Sequence, residues 1–444
     1  MKFFCFHHFV DKEAKKKLRP FLRTRIIVVS ICLLVVFSTL FTGCGSYPRT
    51  IPIKGPVTVL TSAEFHSDRS RVDLSETFCS AYMDFSISLL KAAPGKNGKL
   101  VSPLSVLTAL QSVANGADGY TRIQLETVLG KGMSIEDLNE QLYSYYASLR
   151  DVGRKCFFDA SAVWVTDDES IFTISQDYVD IVSNTFDTQI VQGNFLDLGV
   201  IDSMNDWFRQ KTNGFIDKIV NADDFDGTTV MQLLNAIAFE SQWKVGYKDK
   251  DIRDGIFFTE SSGEVPVKLM FGEEKFLNKG RYEDGFVKPY KDAFSFVVLL
   301  PNSDIDIESY LDYLDGNYLS HLLAIAREES SEVAIPEFSC AWEASLKEAL
   351  FAMGIDLPFE NEADFGKMGY SDVDGTVRVS DVIHKTYIEV NASGTRAGGG
   401  SSERLQVESA PIVLNRPFVY MIMDNEYMLP IFIGLMINPQ SQSN

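Results

Sequence analysis

The sequence predicts an α+β fold, with helices gathered around large, mostly antiparallel β-sheets. Three observations carry that reading. Segments with apolar residues at helical spacing dominate the first half, β-branched and aromatic runs crowd the second, and the two never alternate as βαβ units do. The 444 residues, 45% hydrophobic and 12% aromatic, are ample for one sizeable core. No internal repeat divides the chain. It reads as a leader over residues 1–43, a polar tether over 44–75 and one domain over 76–444.

The elements follow in order. "SAYMDFSISLLKAA" and "SPLSVLTALQSVANGA" space their apolar residues three and four apart, and the second opens on Ser102-Pro103, a helix-start signal. "TRIQLETVL", "IEDLNEQLYSYYASL" and "MNDWFRQKTNG" continue the helical pattern, and "YLSHLLAIAREE" and "WEASLKEALFAMG" bring it back late in the chain. "DASAVWVTD", "TVMQLLNAIAF", "DGIFFT", "FSFVVLLP" and "EVAIPEF" read as strands. Two more, "IHKTYIEV" (Ile383 to Val390) and "RPFVYMIMD" (Arg416 to Asp424), enclose the Gly-rich "NASGTRAGGGSSERLQVESAP", residues 391–411. Loops longer than about 12–15 residues inside a compact domain are uncommon, and are usually functional or disordered.

The leader differs in kind. "KEAKKKLRPFLRTR" is basic, and "IIVVSICLLVVFSTLF" (Ile26 to Phe41) is an apolar run ending at "TGC". A positive stretch, an apolar core and small residues make a secretory signal. The run of about 16 residues is shorter than the roughly 20 of a membrane span. "FTGC" resembles a bacterial lipoprotein signal, which implies lipidation of Cys44 as the mature N-terminus and a secreted, envelope-anchored domain. Phe41 departs from the usual Leu, and an uncleaved signal anchor is the alternative.

The leader carries a net +6, so the remainder of the −20 chain carries −26. So acidic a domain repels nucleic acid and anionic lipid surfaces. Behind the leader and Cys44 stand only Cys79, Cys156 and Cys340, an odd and widely spaced set that makes neither a disulfide framework nor a zinc pattern. His66, His321 and His384 are the remaining histidines, and no hydrolase, metalloprotease or nucleotide-binding motif is present. The expectation is a monomer that is not an enzyme and holds no metal or cofactor.

Read with its motifs, this order resembles the serpin family from about Ser80 to Pro439. "LVSPLSVLTALQSVANGADGYTRIQLETVL" is similar to the family's first buried strand and following helices, and "NAIAFESQWKVGY" to its central strand with a terminal Trp-Lys pair. "VKPYKDAFSFVVLLP", "IPEFSCAWEASLKEALFAMGI", "ADFGKM", the hinge-like "HKTYIEVNASGTRAGG" and the closing "RPFVYMIMDNEYMLPIFIGLMINP" follow in family order. The resemblance implies that residues 391–411 are a reactive-centre loop, a protease bait that inserts into the main sheet once cut. It implies suicide inhibition of serine endopeptidases through a covalent 1:1 complex, or alternatively a non-inhibitory binding protein or a plain protease substrate.

Site residues carry over one by one. Gly394, Thr395, Arg396, Ala397, Gly398, Gly399 and Gly400 match the hinge. Strand alternation turns Thr395, Ala397, Gly399 and Ser401 inward, all small, and keeps Arg396 outward. Ser102, Ser105, Asn235 and His384 match a buried polar cluster beneath the sheet opening, so His384 is expected to be structural. Trp243 and Lys244 match the region where the loop first enters. The reactive bond falls at Glu408-Ser409 by count from the hinge, with Val407-Glu408 as the alternative. Ala392 stands where inhibitory members usually carry Glu, Arg396 where they carry Glu or a small residue, and "GGG" where they have an Ala-rich run. Glycine weakens strand formation by roughly 0.5–1 kcal/mol per site relative to Ala. Glu403 falls on the inward parity.

Overall fold

The computed structural model describes residues 51–61, 69–153, 156–227, 229–260, 263–279, 281–324, 329–371, 377–395 and 411–440. Cys44, His66 and the loop positions from Arg396 to Ser409 lie outside the described residues.

The helical half forms as the spacing predicts. Glu76–Ala92 is capped by Ser75, which accepts from the Phe78 amide, and it buries Phe78, Tyr82, Phe85 and Leu89 along one face. Pro103–Ala114 starts at Ser102, whose hydroxyl accepts from the Ser105 amide, and every one of its residues is buried. An all-round apolar helix belongs inside a core, and this one lies under the main sheet, with Ser112 Oγ donating to Thr188 Oγ1 of that sheet at 3.1 Å.

That sheet decides what the protein can do. Its strands run Thr58–Val59, Thr188–Gln192, Phe157–Val165, Met231–Phe239 and Val382–Asn391, with Phe338–Ser345 on the far side of Val382–Asn391. Most neighbours are antiparallel. Two pairs are not: Phe157–Val165 runs parallel to Thr188–Gln192, and in the middle the central strand Met231–Phe239 and the hinge strand Val382–Asn391 lie side by side in parallel, His384 opposite Asn235. The hinge strand alternates, with Val382, His384, Thr386, Ile388 and Val390 buried and the residues between them half-exposed. The central strand is buried on both faces, because helix Leu198–Lys211 covers its outer side with Val200, Met204, Trp207 and Phe208 against Leu234 and Ala236.

Strands of the second sheet run Ile412–Val413, Ser330–Pro336, Glu264–Lys279, Glu283–Pro289, Phe294–Pro301, Phe418–Asp424, Pro430–Met436 and Gly98–Val101, with Ile252–Phe258 beside Glu264–Lys279. Among the described residues, Cys79, Cys156 and Cys340 form no disulfide.

Two sequence expectations are corrected. "WEASLKEALFAMG" reads as one helix, but its first four residues belong to strand Phe338–Ser345 and only Lys347–Ala352 is helical. Cys340 and Trp342 also alternate at strand period, and pairing with the hinge strand, Trp342 opposite Thr386, decides between the two periods. Nor is the polar tether over 44–75 loose throughout. Thr58–Val59 adds an edge strand to the main sheet. Ile51, Ile53 and Val57 pack on the core under helix Leu198–Lys211, and the Trp207 indole donates to the Ile51 carbonyl at 3.0 Å. Of the apolar residues in "IPIKGPVTVL", this strap half-buries Ile51, Ile53, Val57 and Leu60 and leaves Val59 exposed.

Candidate functional site at the opening of the main sheet

The four polar residues assigned to the sheet opening come together beneath the parallel pair. Ser102 N–H donates to His384 Nε2 at 3.0 Å, so Nδ1 carries the proton and donates to Asn235 Oδ1 at 2.8 Å. Ser105 Oγ donates to the same Asn235 oxygen, Asn235 Nδ2 returns a bond to the Ser105 carbonyl at 3.0 Å, and Ser102 Oγ donates to the Ile431 carbonyl at 2.7 Å. Burial holds the His384 imidazole neutral and pulls its pKa down to about 3. A histidine with both nitrogens committed and no carboxylate partner is a bridge between strands, not a general base.

Above the cluster lies the mouth of the sheet. The Trp243 indole stacks on Tyr290 at 4.4 Å and donates from Nε1 to the Asn391 carbonyl at 2.9 Å. The Trp243 amide donates to Ser393 O at 3.1 Å and the Tyr247 amide to Ala392 O at 2.8 Å. Three successive hinge carbonyls are therefore held by one short loop. Lys244 differs from its neighbour: its amide donates to Pro289 O at 2.9 Å, while its side chain is exposed.

The hinge itself has begun to enter. Gly394–Thr395 pairs antiparallel with Asn391 and Val390 on one side and with Gln242 and Ser241 on the other. Gly394 sits at φ +150°, and a Cβ there would come within 2.3 Å of the Ser241 carbonyl and 2.6 Å of Gln242 Cα. Only glycine fits so close an approach of backbones. Arg396, Ala397, Gly398, Gly399 and Gly400, and the candidate bond residues Val407, Glu408 and Ser409, lie outside the described residues. The sequence reading missed Tyr247, Tyr290 and two charged residues behind them, Glu274 and Lys288. Lys288 shares its parity with the buried Phe286 and Tyr290, which is the signal that could have found it.

Known proteins carry the same architecture. Tengpin, a thermophilic serpin in its native state, matches with a TM-score of 0.78 at 35% identity, covering 83% of this chain and 96% of that one. Its latent state matches at 0.73, with 33% identity over 84% of this chain and all of the other. Iripin-5 of Ixodes ricinus is 30% identical, over 79% of this chain and 92% of its own length. Human thyroxine-binding globulin complexed with its hormone shares the fold at 19% identity and a TM-score of 0.73, over 82% of this chain and 99% of its own. Residues 80–439 match the family model described as serpin (serine protease inhibitor), and the chain belongs to that family.

Proposed function

We propose that the protein inhibits serine endopeptidases as a suicide substrate, trapping the acyl-enzyme by inserting its cut loop into the main sheet. The observation that carries this is the parallel pair with Gly394–Thr395 already poised at its upper end. A strand turning back from Asn391 would run antiparallel to both neighbours, so insertion exchanges one parallel ladder for two antiparallel ones. The hinge registers on both sides converge. Continued downward, each would set Ser401 between His384 and Asn235, which already face each other. If the strand extended in these registers, Thr395, Ala397, Gly399 and Ser401 would face the core and Arg396 would lie beside the half-exposed Glu389.

The chemistry belongs to the protease. Its serine oxygen adds to the reactive-bond carbonyl, the amide bond breaks, a new amino terminus leaves on Ser409 or Glu408, and an ester joins the two proteins. Water would then hydrolyse the ester. Fifteen residues from Gly394 to Glu408 make about 50 Å of strand at roughly 3.3 Å each. Insertion over that length drags the enzyme along and pulls on the ester. Catalytic geometry that loses its oxyanion hole or its serine–histidine alignment loses orders of magnitude in rate.

A second reading, cleavage without trapping, has its own support. The Gly run weakens the inserted strand, and Glu403 would lie between the buried Val382 and Leu233 on the core-facing parity. Incubation with a panel of serine proteases separates the two. An SDS-stable complex supports inhibition, and complete loop cleavage without one supports the substrate reading. The mass of the released C-terminal fragment sets the register: a start at Ser409 selects Glu408-Ser409, a start at Glu408 selects Val407-Glu408, and any other start removes both. Cys44 is proposed to carry the lipid of an envelope-anchored form. Intact mass from a membrane fraction, before and after Cys44→Ala, decides that.

A further inference from the structure

A buried ion pair lies behind the mouth of the sheet, apart from the His384 cluster. Lys288 is 1% and Glu274 8% exposed. Lys288 Nζ donates to Glu274 Oε1 and, at 3.1 Å, to the Val245 carbonyl. The ammonium also lies 4.3 Å from the Tyr247 ring centroid and 5.1 Å from that of Trp243, both within cation–π range. Gly272 makes room on the other side, since a Cβ there would come within 2.8 Å of the Tyr247 ring. The loop 243–247 is thus closed around Lys288. It is the same loop that holds the carbonyls of Asn391, Ala392 and Ser393.

Stability alone does not account for the pair. Desolvation of two charges commonly offsets their attraction, and well-packed apolar residues often serve as well. Burial pushes the Glu274 carboxyl up and the Lys288 ammonium down, each opposed by the charge of the other. What the pair supplies is direction: a fixed cation that two rings and a carbonyl must face.

We propose that Lys288 and Glu274 are positioning residues for strand insertion, fixing loop 243–247 so that the turn at Asn391–Ser393 aims Gly394 and Thr395 between the strands. The proposal deepens the inhibitory reading and rests on it. Both residues stand on neighbouring strands of the second sheet, not across the seam, so the pair would stay intact while the main sheet parts.

The test is the double variant Lys288→Met/Glu274→Gln, which leaves no lone buried charge. Loss of one ordered contact corresponds to roughly fivefold in a population ratio. Two readouts should move by about that factor. Hydrogen exchange at the Trp243 and Tyr247 amides of the intact protein should accelerate, and the moles of inhibitor consumed per mole of protease trapped should rise while the first cut keeps its rate. Val179→Ala, a core truncation in helix Gln176–Thr185, controls for destabilisation and should leave both unchanged. Wild-type exchange at those two amides overturns the proposal, as does wild-type stoichiometry, whatever the melting temperature. If the wild type traps no protease, the inhibitory reading fails on its own. The rate at which the nicked protein gains thermal stability then takes the place of stoichiometry, and an unchanged rate overturns the positioning role.

Discussion

Beneath the seam between the central and hinge strands, Ser102, Ser105, Asn235 and His384 meet as neutral groups, and the His384–Asn235 bond crosses the seam. At its mouth, Lys288 and Glu274 meet as buried charges that do not cross it. Both sites are deep, yet they are built from different chemistry, and the difference fits what each would do under the proposed insertion. A neutral bond between strands is exchanged for another at modest net cost, since intramolecular hydrogen bonds contribute about 1 kcal/mol each. Separating a buried ion pair strands two charges at several kcal/mol. On the proposed insertion, neutral groups stand where the sheet would open, and charges stand where it would hold.

The largest effect that could break this comparison is thermal. If the seam opens and fills, verified cleavage within residues 396–410 should raise the melting temperature by tens of degrees, read by differential scanning calorimetry. An unchanged midpoint would mean that the seam never opens. Next is Thr395→Arg, which sets a cation opposite the buried Val390. Burying it unpaired costs several kcal/mol, so the loop should still be cut at the same bond while covalent complex disappears. Complex formation at wild-type stoichiometry would overturn the inward assignment of Thr395.

The neutral character of the cluster predicts a pH dependence. His384 has a folded-state pKa of about 3 against 6.5 for a free imidazole. Between those values the unfolded chain binds a proton that the folded chain does not, so stability falls as pH falls through this window. By about pH 5 the loss is roughly 2 kcal/mol. The urea midpoint of His384→Gln, compared with wild type, should lack that component. Parallel curves from pH 7 to 4 would show that the folded imidazole takes up its proton as readily as a free one. The smallest effect is Ser105→Ala, which removes one of two donors to Asn235 Oδ1. It should cost about 1–2 kcal/mol in urea unfolding without changing inhibition stoichiometry. A change in stoichiometry would make this cluster, too, a positioning device.

Much of this was legible in the sequence, and the exceptions have physical causes. The hinge strand betrays itself by alternation, since His384, Thr386, Ile388 and Val390 share one parity. The cluster was legible only through family resemblance, because its members lie at 102, 105, 235 and 384 and nothing local links them. Strand Phe338–Ser345 was read as helix because "WEASLKEALF" satisfies both periods and a long-range partner chose. Lys288 and Glu274 were hidden by register. The ladder between Glu283–Pro289 and Glu264–Lys279 shifts at Gly285/Phe286. Without that bulge Lys288 would oppose Lys275; with it, Glu274 stands opposite.

The docked strap shortens the leash on which this domain would work. With a loose tether over 44–75, the 32 residues would reach about 105 Å when extended. Because the chain is already bound to helix Leu198–Lys211 at Ile51 and to the sheet edge at Thr58, only six residues, 45–50, separate it from Cys44, and six residues span at most about 20 Å. A lipid on Cys44 would then confine the domain to a thin shell over the membrane. The proteases it could meet would be those that work at, or are delivered to, that same surface.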